Sequence, residues 1–125
     1  MNRDEKRPAP REVIRPRKIV FVGDQDGEAE RELKDRLTAR FQSDVHVAAA
    51  YLARVRYGAS PEIRVALCLV AHEELRLRAL EAADGEFRRM FRTKESLDVI
   101  FLSAEQHSKI DRVARPFYYH PIYLA

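Results

Sequence analysis

Cys68 and the four histidines His46, His72, His107 and His120 are the side chains best suited to nucleophilic or metal chemistry. A zinc site draws ligands in short-spaced pairs such as C-x-x-C or H-x-x-x-H. No such pair occurs, and His72-Glu73-Glu74 lacks the second histidine of an H-E-x-x-H motif. A nucleophilic cysteine needs an exposed, electropositive position. Cys68 sits between Leu67 and Leu69 and reads as a buried, inert thiol. If its sheet face were open, Arg64 and His72 would share its side, lower its pKa and allow a persulfide-carrying role. No G-x-S-x-G elbow is present, and Asp98 and Asp111 have no evident carboxylate partner. The turn from Gly23 to Gly27 could cradle phosphate. Asp24, Asp26, Glu28 and Glu30 crowd it with like charge, however, and suit the helix dipole better. The expectation is no catalytic residue, no metal and no cofactor.

The elements that would position these groups follow from composition and pattern. A chain of 125 residues, 46% hydrophobic and 34% charged, suits one folded domain with a charged exterior. No apolar run approaches the roughly 20 residues of a membrane span. The first residues lack the apolar stretch of a secretory signal. A single cysteine excludes an internal disulfide and fits a reducing cytoplasm, the expected location. The net charge of +3 is uneven: residues 1–18 hold seven basic and three acidic residues, the rest sixteen and seventeen. Residues 1–17, with three prolines and only Val13 and Ile14 as aliphatics, read as a flexible basic arm. Residues 18–125 read as the domain. Its near-neutrality argues against nucleic-acid binding, leaving the arm as the only RNA or DNA contact to consider. An RNA-recognition domain would also stack bases on strand aromatics. IRVALCLV at 63–70 has none, and KIVFVG at 18–23 has only Phe21.

The periodicities predict a strand at 18–23 and a helix at 28–42 striped by Ala29, Leu33, Leu37 and Phe41. A hairpin follows, 45–57 and 63–72, around Gly58-Ala59-Ser60-Pro61. A second helix at 73–93 carries Leu80, Ala83, Phe87, Met90 and Phe91, with Asp84-Gly85 as an interruption. Arg88, Arg89, Arg92 and Lys94 make its end basic and solvated. A strand at 97–102 precedes a capping box, Ser103 to Gln106, and a short helix that stops at Arg115-Pro116. The order β-α-β-β-α-β, with an extra helix and an aromatic tail, predicts an α+β domain, ferredoxin-like or related, with one bare sheet face.

VAAAYLARV at 47–55, PEIRVAL at 61–67, LDVI at 97–100 and RPFY at 115–118 occur in that order. In order and spacing the chain resembles the C-terminal domain of the SseB family, the bacterial enhanced serine sensitivity proteins, over residues 18–119. Cys68 stands where that pattern has a small residue such as glycine. The resemblance implies a small cytoplasmic bacterial domain, with an association to sulfurtransferase biology, and carries over no catalytic residue.

Strand alternation separates the hairpin into two sets. Tyr51, Ala53 and Val55, with Val65, Leu67 and Leu69, are expected to meet the helices. Leu52, Arg54, Arg56, Arg64, Cys68 and Val70 are expected on the bare face, apolar in the middle and rimmed by arginines, as an interface would be. Phe117, Tyr118 and Tyr123 of the tail are expected to cover it, within the chain or across a homodimer. The functional expectation is a non-enzymatic protein-interaction module, its partner another protein or a second copy. Sulfur transfer through Cys68 and nucleic-acid binding through the arm are the alternatives.

Overall fold

The computed structural model describes residues 18–92 and 97–120. The arm, Lys94 and Tyr123 lie outside these. The elements are β1 (Ile19–Asp24), α1 (Glu28–Ser43), β2 (Ala49–Tyr57), β3 (Arg64–Val70), a 3-10 turn (Glu73–Leu75), α2 (Arg76–Phe91), β4 (Asp98–Phe101), α3 (Ala104–Ile110) and β5 (Tyr118–Tyr119). The domain is α+β, with one mixed sheet of five strands.

Strand order across the sheet, which element order leaves open, is β1-β2-β3-β4. The β1–β2 and β2–β3 pairs are antiparallel, and α2 carries the chain over to make β3–β4 parallel. In a split βαβ sandwich the strands joined by a helix are separated by another. Here β1 and β2 are direct neighbours, so the arrangement is the related rather than the interleaved one. The nine-residue β2 is the spine. β1 pairs with its second half and β5 with Ala49 and Ala50 at its start.

Both faces of the sheet are covered. Leu33, Leu37 and Phe41 of α1 and Ala79, Ala82 and Ala83 of α2 pack on Ala50, Leu52, Leu67 and Leu69. On the other face, Ile110 of α3 and the following Ala114 pack with Tyr51, Ala53, Val55, Ala66 and Cys68. The expected bare face is therefore corrected. It combined Leu52 with Cys68, whereas the register pairs Leu52 with Leu67 and Tyr51 with Cys68. Paired residues share a face, and a one-residue offset between strands exchanges the faces of one of them.

The helices obey local rules, with two departures. α2 runs unbroken through Asp84-Gly85, and its buried stripe is Ala79, Ala82, Ala83 and Glu86, leaving Leu80 exposed. It ends at Arg92, whose left-handed backbone (φ 49°) stops the helix. The α3 capping box forms as expected: Ser103 Oγ accepts from the Gln106 N–H, and Gln106 Oε1 accepts from the Ser103 N–H. The tail packs, but on the α1 side. Tyr118 sits 5.8 Å from the Phe41 ring and its hydroxyl donates to the Phe41 carbonyl at 3.4 Å.

Candidate functional site: a groove at the hairpin end of the sheet

A cavity opens where the start of β3 runs out from under the helices. It encloses about 520 Å³, within the range of small-ligand and peptide pockets. Leu52 of β2 and Leu33 of α1 form its buried floor. Phe87 and Phe91 of α2, whose tilted rings lie 4.9 Å apart, form one wall with Leu97. Ile63 and Val65 form the other. Ile63 is 47% exposed, Val65 37% and Phe91 37%. Three large apolar side chains thus face solvent around one concavity.

The rim is acidic. Among the described residues, Glu30, Glu62 and Asp98 line it, with Arg64 as the one cation. Arg64 Nε donates to Asp98 Oδ2 at 3.0 Å, and its Nη1 lies 3.6 Å from Glu62. Asp98 also accepts the Tyr57 hydroxyl at 3.1 Å, tying β2, β3 and β4 together. Burial and the adjacent carboxylate push the Tyr57 phenol up. Asp98 holds Arg64 firmly protonated. Arg64 is thereby spent on its neighbours, and among the described residues the rim keeps a surplus of carboxylate.

A second polar cluster lies on the opposite face. Tyr51 is buried, and its hydroxyl donates to Asp111 Oδ1 at 2.8 Å. His107 Nε2 lies 3.0 Å from the same hydroxyl. A phenol has one proton. With that proton given to Asp111, His107 must donate through Nε2–H. His107 and Asp111, four apart, share a helix face, which the sequence shows; their anchor is 56 and 60 residues away. Asp111 is thus part of the bond that fixes α3 to the sheet.

Cys68 is buried beneath α3, and burial pushes its thiol up to about 12. It presents no thiolate at neutral pH. His46 and His72 line a cavity of about 190 Å³ with Ala48, Val70 and Ala71. Among the described residues no group of three or more His, Cys, Asp or Glu could hold a metal ion.

The residues expected to share one interface are divided by the fold. Leu52 and Cys68 are both buried, on opposite faces. Val70 flanks Cys68, half-buried. Arg54 and Arg56 share the face of Leu52 by alternation, and Arg54 Nε donates to the Asp24 carbonyl at 3.2 Å. Arg64 points to the other face, opposite Val55. Phe117 and Tyr118 join the α1 core rather than the Cys68 face. Of that set, only Leu52 and Arg64 line the groove, Leu52 at its floor and Arg64, on the other face by register, at its rim. Alternation puts Ile63 and Val65 on the helix-facing set, helical spacing puts Phe87 and Phe91 on the apolar side of the second helix, Leu97 reads only as the start of a strand, and no local signal marks the point where helix cover ends.

No family model, curated protein or solved structure matches the chain. No helix among the described residues is long and apolar enough to cross a membrane.

Proposed function

We propose that the domain is a non-enzymatic protein-interaction module whose groove receives an apolar peptide segment flanked by basic residues. The observation that carries this is the exposure of Ile63, Val65 and Phe91 around one concavity rimmed by Glu30, Glu62 and Asp98. The apolar walls supply burial, and the carboxylates select the charge of the flanks. The resemblance to the SseB C-terminal domain supports a cytoplasmic interaction role, now at this groove rather than on a bare sheet face. The burial of Cys68 counts against sulfur transfer, because a carrier thiol must reach its donor.

Selection from a displayed random-peptide library tests the reading. Selected peptides should converge on adjacent aliphatic residues between lysines or arginines. Ile63→Asp or Phe91→Asp should weaken their binding about tenfold or more, a change of ~1.4 kcal/mol or more. Both positions are surface-exposed, so circular dichroism should show the fold intact. Peptides that bind these variants as well as the parent chain would refute the reading.

A further inference from the structure

We propose that two copies of this chain pair through the outer edge of β4, extending one sheet across a twofold axis, with the first turns of their α2 helices packed over the junction.

The first observation is the state of that edge. β4 ends the strand order, and among the described residues nothing pairs with its outer side. Unpaired edges are commonly blunted by a lysine, a proline or a bulge. β1, at the opposite edge, has a register shift between Phe21 and Gly23. β4, Asp98-Val99-Ile100-Phe101, has no lysine, proline or bulge, and three of its four residues are apolar. Its backbone can therefore accept a further strand.

The second is what stands above the edge. Counting about 100° per residue, Leu77 and Leu80 fall on the flank of α2 opposite Glu86 and Arg89. Glu86 meets Arg36 and Arg40 of α1, so the leucine flank faces away from α1, toward β4. The Arg76 guanidinium, 5.2 Å from the Phe101 ring, places the start of α2 over the end of β4. Leu77 is 65% exposed and Leu80 39%, beside an open strand edge.

The third selects a second copy as the occupant. An antiparallel strand pair has its dyad normal to the sheet, so both helix layers stay on one face. With Ile100 on the axis, Val99 meets Phe101 of the partner subunit, and both belong to the helix-covered face. α2 spans β3 and β4, packing on Leu67 and Leu69 and reaching Phe101. Its axis therefore runs about half a strand spacing inside β4, and the dyad lies half a spacing outside. The two helices then stand about two strand spacings apart, roughly 10 Å. Packed helices are separated by about 8–10 Å. Leu77 and Leu80 of each copy fill the gap between them. The groove, at the other end of α2, takes no part.

The paired surface is small, so the dimer should dissociate on dilution. Sedimentation equilibrium of the full chain should show a mass rising with concentration from 14.6 kDa toward twice that value. Leu77→Lys/Leu80→Lys should raise the dissociation constant about tenfold or more. Both side chains reach solvent, so circular dichroism should be unchanged. Ile100→Cys should give a disulfide-linked dimer on mild oxidation, because facing residues of an antiparallel pair bring their Cα atoms about 4.5–5.5 Å apart. The parent chain, whose only thiol is the buried Cys68, should not cross-link. A mass of 14.6 kDa at millimolar concentration would overturn the proposal. A dimer insensitive to the two lysines, or one that persists while Ile100→Cys fails to cross-link, would overturn it too, by placing the contact on another face.

Discussion

Tyr51 stands directly across the β2–β3 ladder from Cys68, and its hydroxyl reaches past the sheet to Asp111 on the turn after α3. This pair explains why the Cys68 face is closed. The phenol fixes one end of α3, Ile110 fills the space beneath, and the thiol is sealed under both.

The sealed thiol and the phenols predict an alkaline limit to stability. Cys68 is raised from its ordinary 9.0 to about 12 by burial, and Tyr51 and Tyr57 are raised above their ordinary 10.0. These groups hold their protons in the folded chain at pH values where the unfolded chain has released them. Stability is therefore full below pH 9 and falls as pH rises, by up to about 1.4 kcal/mol per unit for Cys68, with the tyrosines adding from about pH 10. Urea midpoints between pH 7 and pH 10.5 should show this decline. A flat profile would mean the thiol and phenols are open to water. At pH 8 a thiol reagent should label Cys68 slowly in the native chain and rapidly in urea.

Gly85 lies inside α2, and beyond its chain neighbours and its own helix backbone a Cβ placed on it would meet nothing within 4 Å. Gly85→Ala should stabilise the domain by about 0.5–1 kcal/mol, because alanine loses less backbone entropy in a helix. A shift of the thermal midpoint upward by a few degrees is the expected result. A fall would show that the helix bends at this position in solution.

Glu86 is buried between the two long helices. Its carboxylate meets Arg40 at 3.1 Å, Arg89 at 2.9 Å and Arg36 at 3.8 Å. Arg36 and Arg40 come from α1, so the cluster clamps α1 to α2. Removing one partner of a buried pair leaves the other unsatisfied. The arginines are partly exposed and can regain water, so Glu86→Ala should cost about 1–3 kcal/mol rather than the full 3–5. Arg40→Ala should cost more than Arg89→Ala, since Arg89 is on the same helix as Glu86. Equal losses in chemical denaturation would mean the inter-helix contact adds nothing.

Ending the chain after Arg115 removes β5 with Phe117 and Tyr118. Both side chains pack partly buried on the α1 core, and the Phe117 N–H donates to the Ala50 carbonyl. The loss should be about 2–4 kcal/mol by area burial. It would also leave the start of β2 as an unpaired edge, open to pairing with another chain. Calorimetry and sedimentation should show a lower melting temperature and some self-association. An unchanged melting temperature would mean the tail contributes no core.

The order and type of the elements were readable from residue patterns because those patterns are local. The four-residue stripe of α1, the Gly58 turn and the Ser103–Gln106 capping box each act within one or two turns of chain. The candidate site was not readable in the same way. Which residues of β2 face those of β3 depends on a pairing across the Gly58–Ile63 loop, and an offset of one residue put Leu52 and Cys68 on one imagined surface. Whether Ile63, Val65 and Phe91 are covered depends on how far α1 and α2 extend over the sheet, which no window of sequence contains. Burial of Cys68 follows from α3 folding back across the sheet to meet Tyr51, a contact whose energy exists only once residues 56 and 60 positions apart are brought together.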